Sequence, residues 1–163
     1  MTTNKKVAIV MGSQSDYVVM KKCEEIFKIL KIKFETRIVS AHRTPDRMFS
    51  FAKTAVKKNF AVIIAGAGGS AHLPGMIASL SVLPVIGVPV ETKKLKGLDS
   101  LLSIVQMPKG IPVGTVAIGE NGAFNAGLLA ASIIALSDNK IKKNLEKWRR
   151  IQTAAIKKKP KQQ

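Results

Sequence analysis

Ser40-Ala41-His42-Arg43-Thr44-Pro45 sets a proton-transfer side chain beside a fixed positive charge. Histidine's ordinary pKa, about 6.5, lies nearest neutrality among the side chains. The chain holds two histidines, one cysteine and ten carboxylates, so few arrangements in it could do chemistry. His42 is the candidate general acid and base. Arg43 offers a planar fork of donors suited to a phosphate or a carboxylate. The plain alternative is a turn with an exposed His and Arg ahead of an ordinary helix. Thr44-Pro45-Asp46 reads as a helix start in its own right, with an N-cap, Pro at the first helical position and an acid in the first turn.

Two further segments have the right composition for a site. Gly12-Ser13-Gln14-Ser15-Asp16 supplies glycine, hydroxyls and backbone N–H groups at a helix start, a plausible anion cradle. It lacks the Gly-Lys-Ser/Thr ending of a nucleotide P-loop, and Ser15 or Asp16 could simply cap the helix. Gly66-Ala67-Gly68-Gly69-Ser70-Ala71-His72-Leu73-Pro74-Gly75 matches a dinucleotide fingerprint at Gly66, Gly68 and Ala71, with Glu91 near the place of the ribose-binding acid. Against that match, Pro74-Gly75 is expected to interrupt the first turn of the helix that would receive a pyrophosphate. The other reading is a floor of backbone N–H groups under a small acid, and the plainest is close strand–helix packing. His42 and His72 could share a metal, but no cluster of carboxylates or thiols accompanies them in the sequence, so no metal is expected. Cys23 falls on the apolar face of a helix and reads as core.

Elements must bring these segments together. Short apolar runs at 7–11, 34–39, 60–65, 85–88 and 115–118 suit buried parallel strands. Between them, helical periodicity puts Val19, Cys23, Ile26, Phe27 and Leu30 on one face and Met48, Phe49, Ala52, Ala55 and Val56 on another. Helices are also expected after the third strand, over 98–105 and over 121–136. Alternating strands and helices imply a parallel sheet covered on both sides. The expected fold is a three-layer α/β/α, flavodoxin-like five-stranded sheet, Rossmann being the other doubly wound order. Ligands bind beyond the carboxyl ends of such strands, where the three segments, following strands one, two and three, meet. A last helix from about Asp138 carries Ile141, Leu145, Trp148 and Ile151 as a stripe. It is expected to pack on a neighbouring subunit, since the sheet's own faces are already occupied. One domain over 1–156 and a disordered basic tail over 157–163 complete the plan.

The 163-residue chain has a net charge of +17 and is 46% hydrophobic. No apolar run reaches the roughly 18 residues of a membrane span. The opening residues are too short and β-like for a signal peptide, and one cysteine excludes an internal disulfide framework. A cytoplasmic location is expected. Ten basic residues against Glu146 between positions 140 and 161 form the densest charge. With one Trp and one Tyr, a base-stacking platform is not expected, and the charge reads as a solvated surface.

Taken in order, Met11-Gly12-Ser13-x-Ser15-Asp16, the 40–45 hexapeptide, the 66–75 segment and Gln106-Met107-Pro108-Lys109-Gly110-Ile111-Pro112-Val113 closely resemble the PurE-type N5-carboxyaminoimidazole ribonucleotide mutases of purine biosynthesis. The resemblance runs from about Val7 to Trp148. It implies a cofactor-free homo-octamer with sites shared between subunits, working beside a separate ATP-dependent carboxylating enzyme. It implies a reaction that moves a carboxylate from the exocyclic nitrogen of an aminoimidazole ribotide to ring carbon C4. Ser13, Ser40 and Arg43 would then bind phosphate, Asp16 the ribose hydroxyls, Gly68, Gly69 and His72 the carboxylate or CO2, with Ser15 also among the substrate-binding residues, and His42 would move the protons. Three rival readings are a direct CO2-using carboxylase of the same ribotide, a non-catalytic nucleotide-binding module and a basic nucleic-acid protein.

Overall fold

The protein is described by a computed structural model covering residues 5–159. Its elements run β1 Lys6–Met11, a 3-10 turn Gln14–Asp16, α1 Tyr17–Leu30, β2 Phe34–Ile38, α2 Pro45–Thr54, β3 Phe60–Gly68, α3 Leu73–Ala78, β4 Val85–Val90, α4 Leu98–Val105, β5 Gly114–Thr115, α5 Gly119–Ala135 and α6 Asn139–Ala155. The strands lie in the order β2-β1-β3-β4-β5, all parallel. That is the flavodoxin-like order, with its switch between β1 and β3. Strand alternation divides the core in two. Val7, Ile9 and Met11 face α1, α5 and the start of α6, while Ala8 and Val10 face α2, α3 and α4.

The expected elements hold, with differences at their ends. Strand β4 continues through Pro89 and Val90, which pair with Ala67 and Gly68 of β3. Proline is tolerated there because β5 pairs only with Ile86 and Gly87, leaving no ladder partner for a donor at position 89. Strand β5 is two residues long rather than 115–118. Gly119 takes φ 75° and turns the chain into α5 two residues before the expected start. In α2 the buried residues are Met48, Phe51 and Ala52, with Phe51 against Phe60 at 6.0 Å between ring centroids. Phe49 and Val56, expected inside, are 39% and 52% exposed; the helix ends at Thr54, before Val56. Pro74 does not interrupt α3. It sits in the first turn, where a missing N–H costs nothing.

Helix α6 is capped by Asp138, whose Oδ1 accepts from the backbone N–H groups of Lys140 at 2.9 Å and Ile141 at 3.2 Å. Its stripe does not need a second chain for its first half. Ile141 and Leu145 are buried in the same core as α1 and α5, the Asn144 amide donates to the Leu30 carbonyl at 2.8 Å, and Trp148 meets Phe124 at 6.0 Å. Only Ile151 is left largely exposed, at 59%. Lys157–Lys159 are exposed, and positions 160–163 of the expected tail lie outside the described residues.

Two close approaches lock α5 in place. A Cβ on Gly127 would sit 2.3 Å from Ile26 Cγ2 of α1, and one on Gly122 would sit 1.6 Å from the Ala117 carbonyl oxygen. Between these glycines the Cys23 thiol donates to the Ala123 carbonyl at 3.0 Å. Burial pushes that thiol's pKa up, as expected of a core cysteine rather than a nucleophile. Among the described residues no helix is long and apolar enough to cross a membrane.

Candidate functional site

The carboxyl ends of β1, β2, β3 and β4 open onto one cleft of about 490 Å³. The three sequence segments meet there, as the parallel topology requires. The 12–16 loop is fastened by Asp16, whose Oδ2 accepts from the Ser13 N–H at 3.0 Å and from the Ser13 hydroxyl at 3.2 Å. Ser13 and Ser15 hydroxyls lie 2.6 Å apart. The Asp16 carboxylate thus closes the turn and holds the Ser13 hydroxyl, which in turn meets that of Ser15, and both serines line the cleft.

The 40–45 turn is built by reciprocal bonds. The Ser40 N–H donates to Thr44 Oγ1 at 3.0 Å, and the Thr44 N–H donates to the Ser40 carbonyl at 3.1 Å. Ser40 is buried at 7% exposure, and its hydroxyl accepts from the Arg43 backbone N–H at 3.2 Å and from Arg43 Nε at 3.3 Å. Ser40 thus orients the guanidinium by accepting from it, and its own O–H remains available to donate into the cleft it lines. Arg43 Nη2 donates to the Gly12 carbonyl at 2.7 Å, so this one side chain ties the second loop to the first and keeps its charge beside Ser13 and Ser15.

The two histidines, thirty positions apart, are partners. His42 Nε2 and His72 Nδ1 lie 2.9 Å apart, with the rings edge to face at 5.0 Å between centroids. Neither ring is enclosed by the core; each is placed by a short loop at the end of its strand. Among the described residues no group of three or more His, Cys, Asp or Glu converges on a common point. One imidazole must donate and the other accept.

The glycine turn departs from expectation in one respect. Gly68 and Ser70 line the cleft, but the Gly69 N–H donates to Ser100 Oγ at 2.9 Å. That amide is engaged within the protein, and Gly68, Ser70 and His72, not Gly69, line the cleft. Sequence reasoning missed Ser70 and Thr92 as lining residues, and placed Glu91 only as the acid of a dinucleotide site. All three line this cleft. The signal for Glu91 and Thr92 was positional, since they follow β4 at the same sheet edge.

A larger cleft, about 710 Å³, runs beside β2 between α1 and α2, lined by residues that include Tyr17, Glu24, Arg37 and Phe51. Volume would favour it, but chemistry does not. It holds no histidine, and Glu24 accepts from the Thr36 hydroxyl at 2.7 Å.

The same arrangement of strand ends and loops occurs in solved structures. The crystal structure of Treponema denticola PurE superposes with a TM-score of 0.84 at 28% identity, over 93% of each chain. Among curated proteins, the N5-carboxyaminoimidazole ribonucleotide mutase of Brucella melitensis biotype 1 is 58% identical, over 94% of this chain and 95% of its own. The enzyme of that name from Escherichia coli K12 is 57% identical, over 93% and 89%. The "Bifunctional purine synthesis protein purC/E" of Dictyostelium discoideum is 59% identical over 92% of this chain, which matches 15% of that longer protein. Residues 6–155 match the family model described as AIR carboxylase. That match spans every strand and helix from β1 to α6 and all the loops that shape the histidine cleft, and it establishes that the chain belongs to the AIR carboxylase family.

Proposed function

We propose that this protein is a mutase of purine biosynthesis that converts N5-carboxyaminoimidazole ribonucleotide to 4-carboxy-5-aminoimidazole ribonucleotide. The observation that carries the reading is the His42–His72 contact at 2.9 Å in a cleft that also holds Arg43, Ser13 and Ser15. It sits in a chain more than half identical to proteins bearing the mutase name. A phosphate is met by the Arg43 charge and the two serine hydroxyls. Asp16 lies next to them for the ribose hydroxyls. The aminoimidazole then reaches toward the histidines and the Gly68–Ser70 turn.

The chemistry needs only proton movement and confinement. Protonation of the exocyclic nitrogen by His42 lets the N–C bond break, its electron pair staying on nitrogen and the carboxylate leaving as CO2. Ring carbon C4 attacks the CO2, which becomes the new carboxylate. The C4 proton returns to His42, so the histidine ends as it began. His72, freed from His42 by the incoming substrate, donates to the carboxylate. Small residues at 66–71 leave space for CO2 beside the histidines. No cofactor enters this sequence of steps.

In the same reading the chain works as a homo-octamer in the cytoplasm, with Trp148 and Ile151 of α6 available to a neighbour. Because the N-carboxylate is labile, an ATP-dependent carboxylating enzyme must supply it. The test is direct: purified protein mixed with the N-carboxylated ribotide, without ATP or added metal, yields the C-carboxylated isomer. Turnover only of the uncarboxylated ribotide with bicarbonate would assign the direct carboxylase activity instead.

Arg43→Ala should act mainly on binding. A charged hydrogen bond to phosphate contributes about 1.5–3 kcal/mol, so KM should rise about tenfold or more while kcat changes by less. Substrate titration of the initial rate checks this, and an unchanged KM would place the phosphate elsewhere.

A further inference from the structure

The turn after β3 is fastened by a helix that contributes nothing else to the chemistry. Gly69 takes φ 69°, and nothing lies within 4 Å of where its Cβ would stand. The glycine serves a left-handed backbone rather than close packing. Both polar groups of its backbone face serines of α4. The N–H donates to Ser100 Oγ at 2.9 Å, and the carbonyl lies 3.2 Å from the Ser103 hydroxyl, which shares its one proton with the nearer Asp99 carbonyl at 2.7 Å. Ser100 is completely buried, and its own O–H donates to the Val90 carbonyl at 2.6 Å. One hydroxyl therefore joins the end of β4 to the turn following β3, and each bond in the chain polarises the next. One residue earlier, Asp99 accepts from the Thr92 hydroxyl at 2.9 and 3.0 Å, and Thr92 lines the cleft. The first turn of α4 thus clasps two walls of the site.

We infer that Ser100 is a positioning residue for the carboxylate transfer. It fixes the Gly69 peptide, and through it the Gly68–His72 segment, without touching substrate. The inference rests on the reaction proposed above. Only a group that accepts and donates through one small atom completes the bridge, because alanine leaves the Gly69 N–H and the Val90 carbonyl without their shared partner. The clasp is also selective. Arg43, Ser13 and Ser15, which meet the phosphate, stand on the loops after β1 and β2 and make no bond to α4. Loss of Ser100 should therefore disturb the place where the carboxylate reacts and spare the place where the ribotide is gripped.

The test compares wild type, Ser100→Ala and Ser103→Ala as full-length folded protein, with N-carboxylated ribotide as substrate. Ser100→Ala should lower kcat about ten- to a hundredfold through misplacement of the reacting groups, with KM within about threefold. Ser103→Ala, which removes one exposed bond to the same peptide, should lower kcat about threefold in the same pattern. Unchanged kcat in both variants overturns the inference, and so does a rise in KM matching the fall in kcat, the mark of general loosening. If Ser100→Ala does not fold, Ser103→Ala carries the decision. A second readout needs no turnover. In the substrate-free protein, Ser100→Ala should speed amide exchange at Gly69 by about tenfold or more and shift the His72 ring resonances. Static His72 resonances overturn the inference. If the wild type shows no turnover, the proposed reaction fails, and the exchange and resonance data still decide what Ser100 holds.

Discussion

Replacing His42 with asparagine should abolish most turnover while leaving the fold intact. A positioned acid–base group contributes about 10²–10⁴-fold, and here one imidazole serves both the protonation of nitrogen and the removal of the C4 proton, so kcat should fall toward the upper end. The ring is exposed and belongs to neither core cluster, so its loss removes no apolar burial. Asparagine can still meet His72 Nδ1 through its amide, which keeps the loop occupied without offering a group that exchanges protons near neutrality. Formation of the C-carboxylated isomer, followed beside a thermal melt, separates the two effects. A variant that melts like wild type and turns over within tenfold of it would remove His42 from the chemistry.

The second large effect lies away from the cleft. Gly122→Ala puts a Cβ 1.6 Å from the Ala117 carbonyl oxygen and 2.6 Å from its carbon. Both are backbone atoms, so no side-chain rotation relieves the clash. The chain between β5 and α5 must move, although α5 is the helix most closely packed on α1 and lies across β3 and β4. Forced overpacking typically costs about 1–3 kcal/mol and sometimes more. With backbone as the obstacle we expect at least about 3 kcal/mol, or a fall in Tm of roughly 6–12 °C for a chain of this size. Thermal or urea unfolding measures it. A melting temperature within about 2 °C of wild type would mean that the α5 start relaxes freely.

The parallel sheet and the meeting of the three loops were legible in the sequence because both follow from local rules. Apolar runs such as 60–65 are bounded by glycine. Thr44-Pro45-Asp46 announces its helix. Parallel connections send every second loop to one edge. What was not legible depends on partners far along the chain. Nothing near Gly69 reveals that its amide is claimed by Ser100, and nothing near His42 shows that His72 lies at hydrogen-bond distance. Ser40 shows the same limit: its place beside an arginine in the sequence does not reveal that the folded turn aims Arg43 Nε at its hydroxyl. In α2 the error was one of phase. Phe49 and Phe51 are both apolar, and only the position of Phe60 on β3 decides which ring turns inward.

The lone sulfhydryl has a practical consequence. Cys23 is sealed between α1 and α5, bonded to a main-chain oxygen and held protonated by its surroundings, so the native molecule is blind to alkylating reagents. A cysteine placed on the surface becomes a unique handle for a fluorophore or spin label, with no need to delete the native one. When those two helices part, the hidden sulfur becomes a timer, and its rate of capture by a maleimide reports how often this half of the core breathes open.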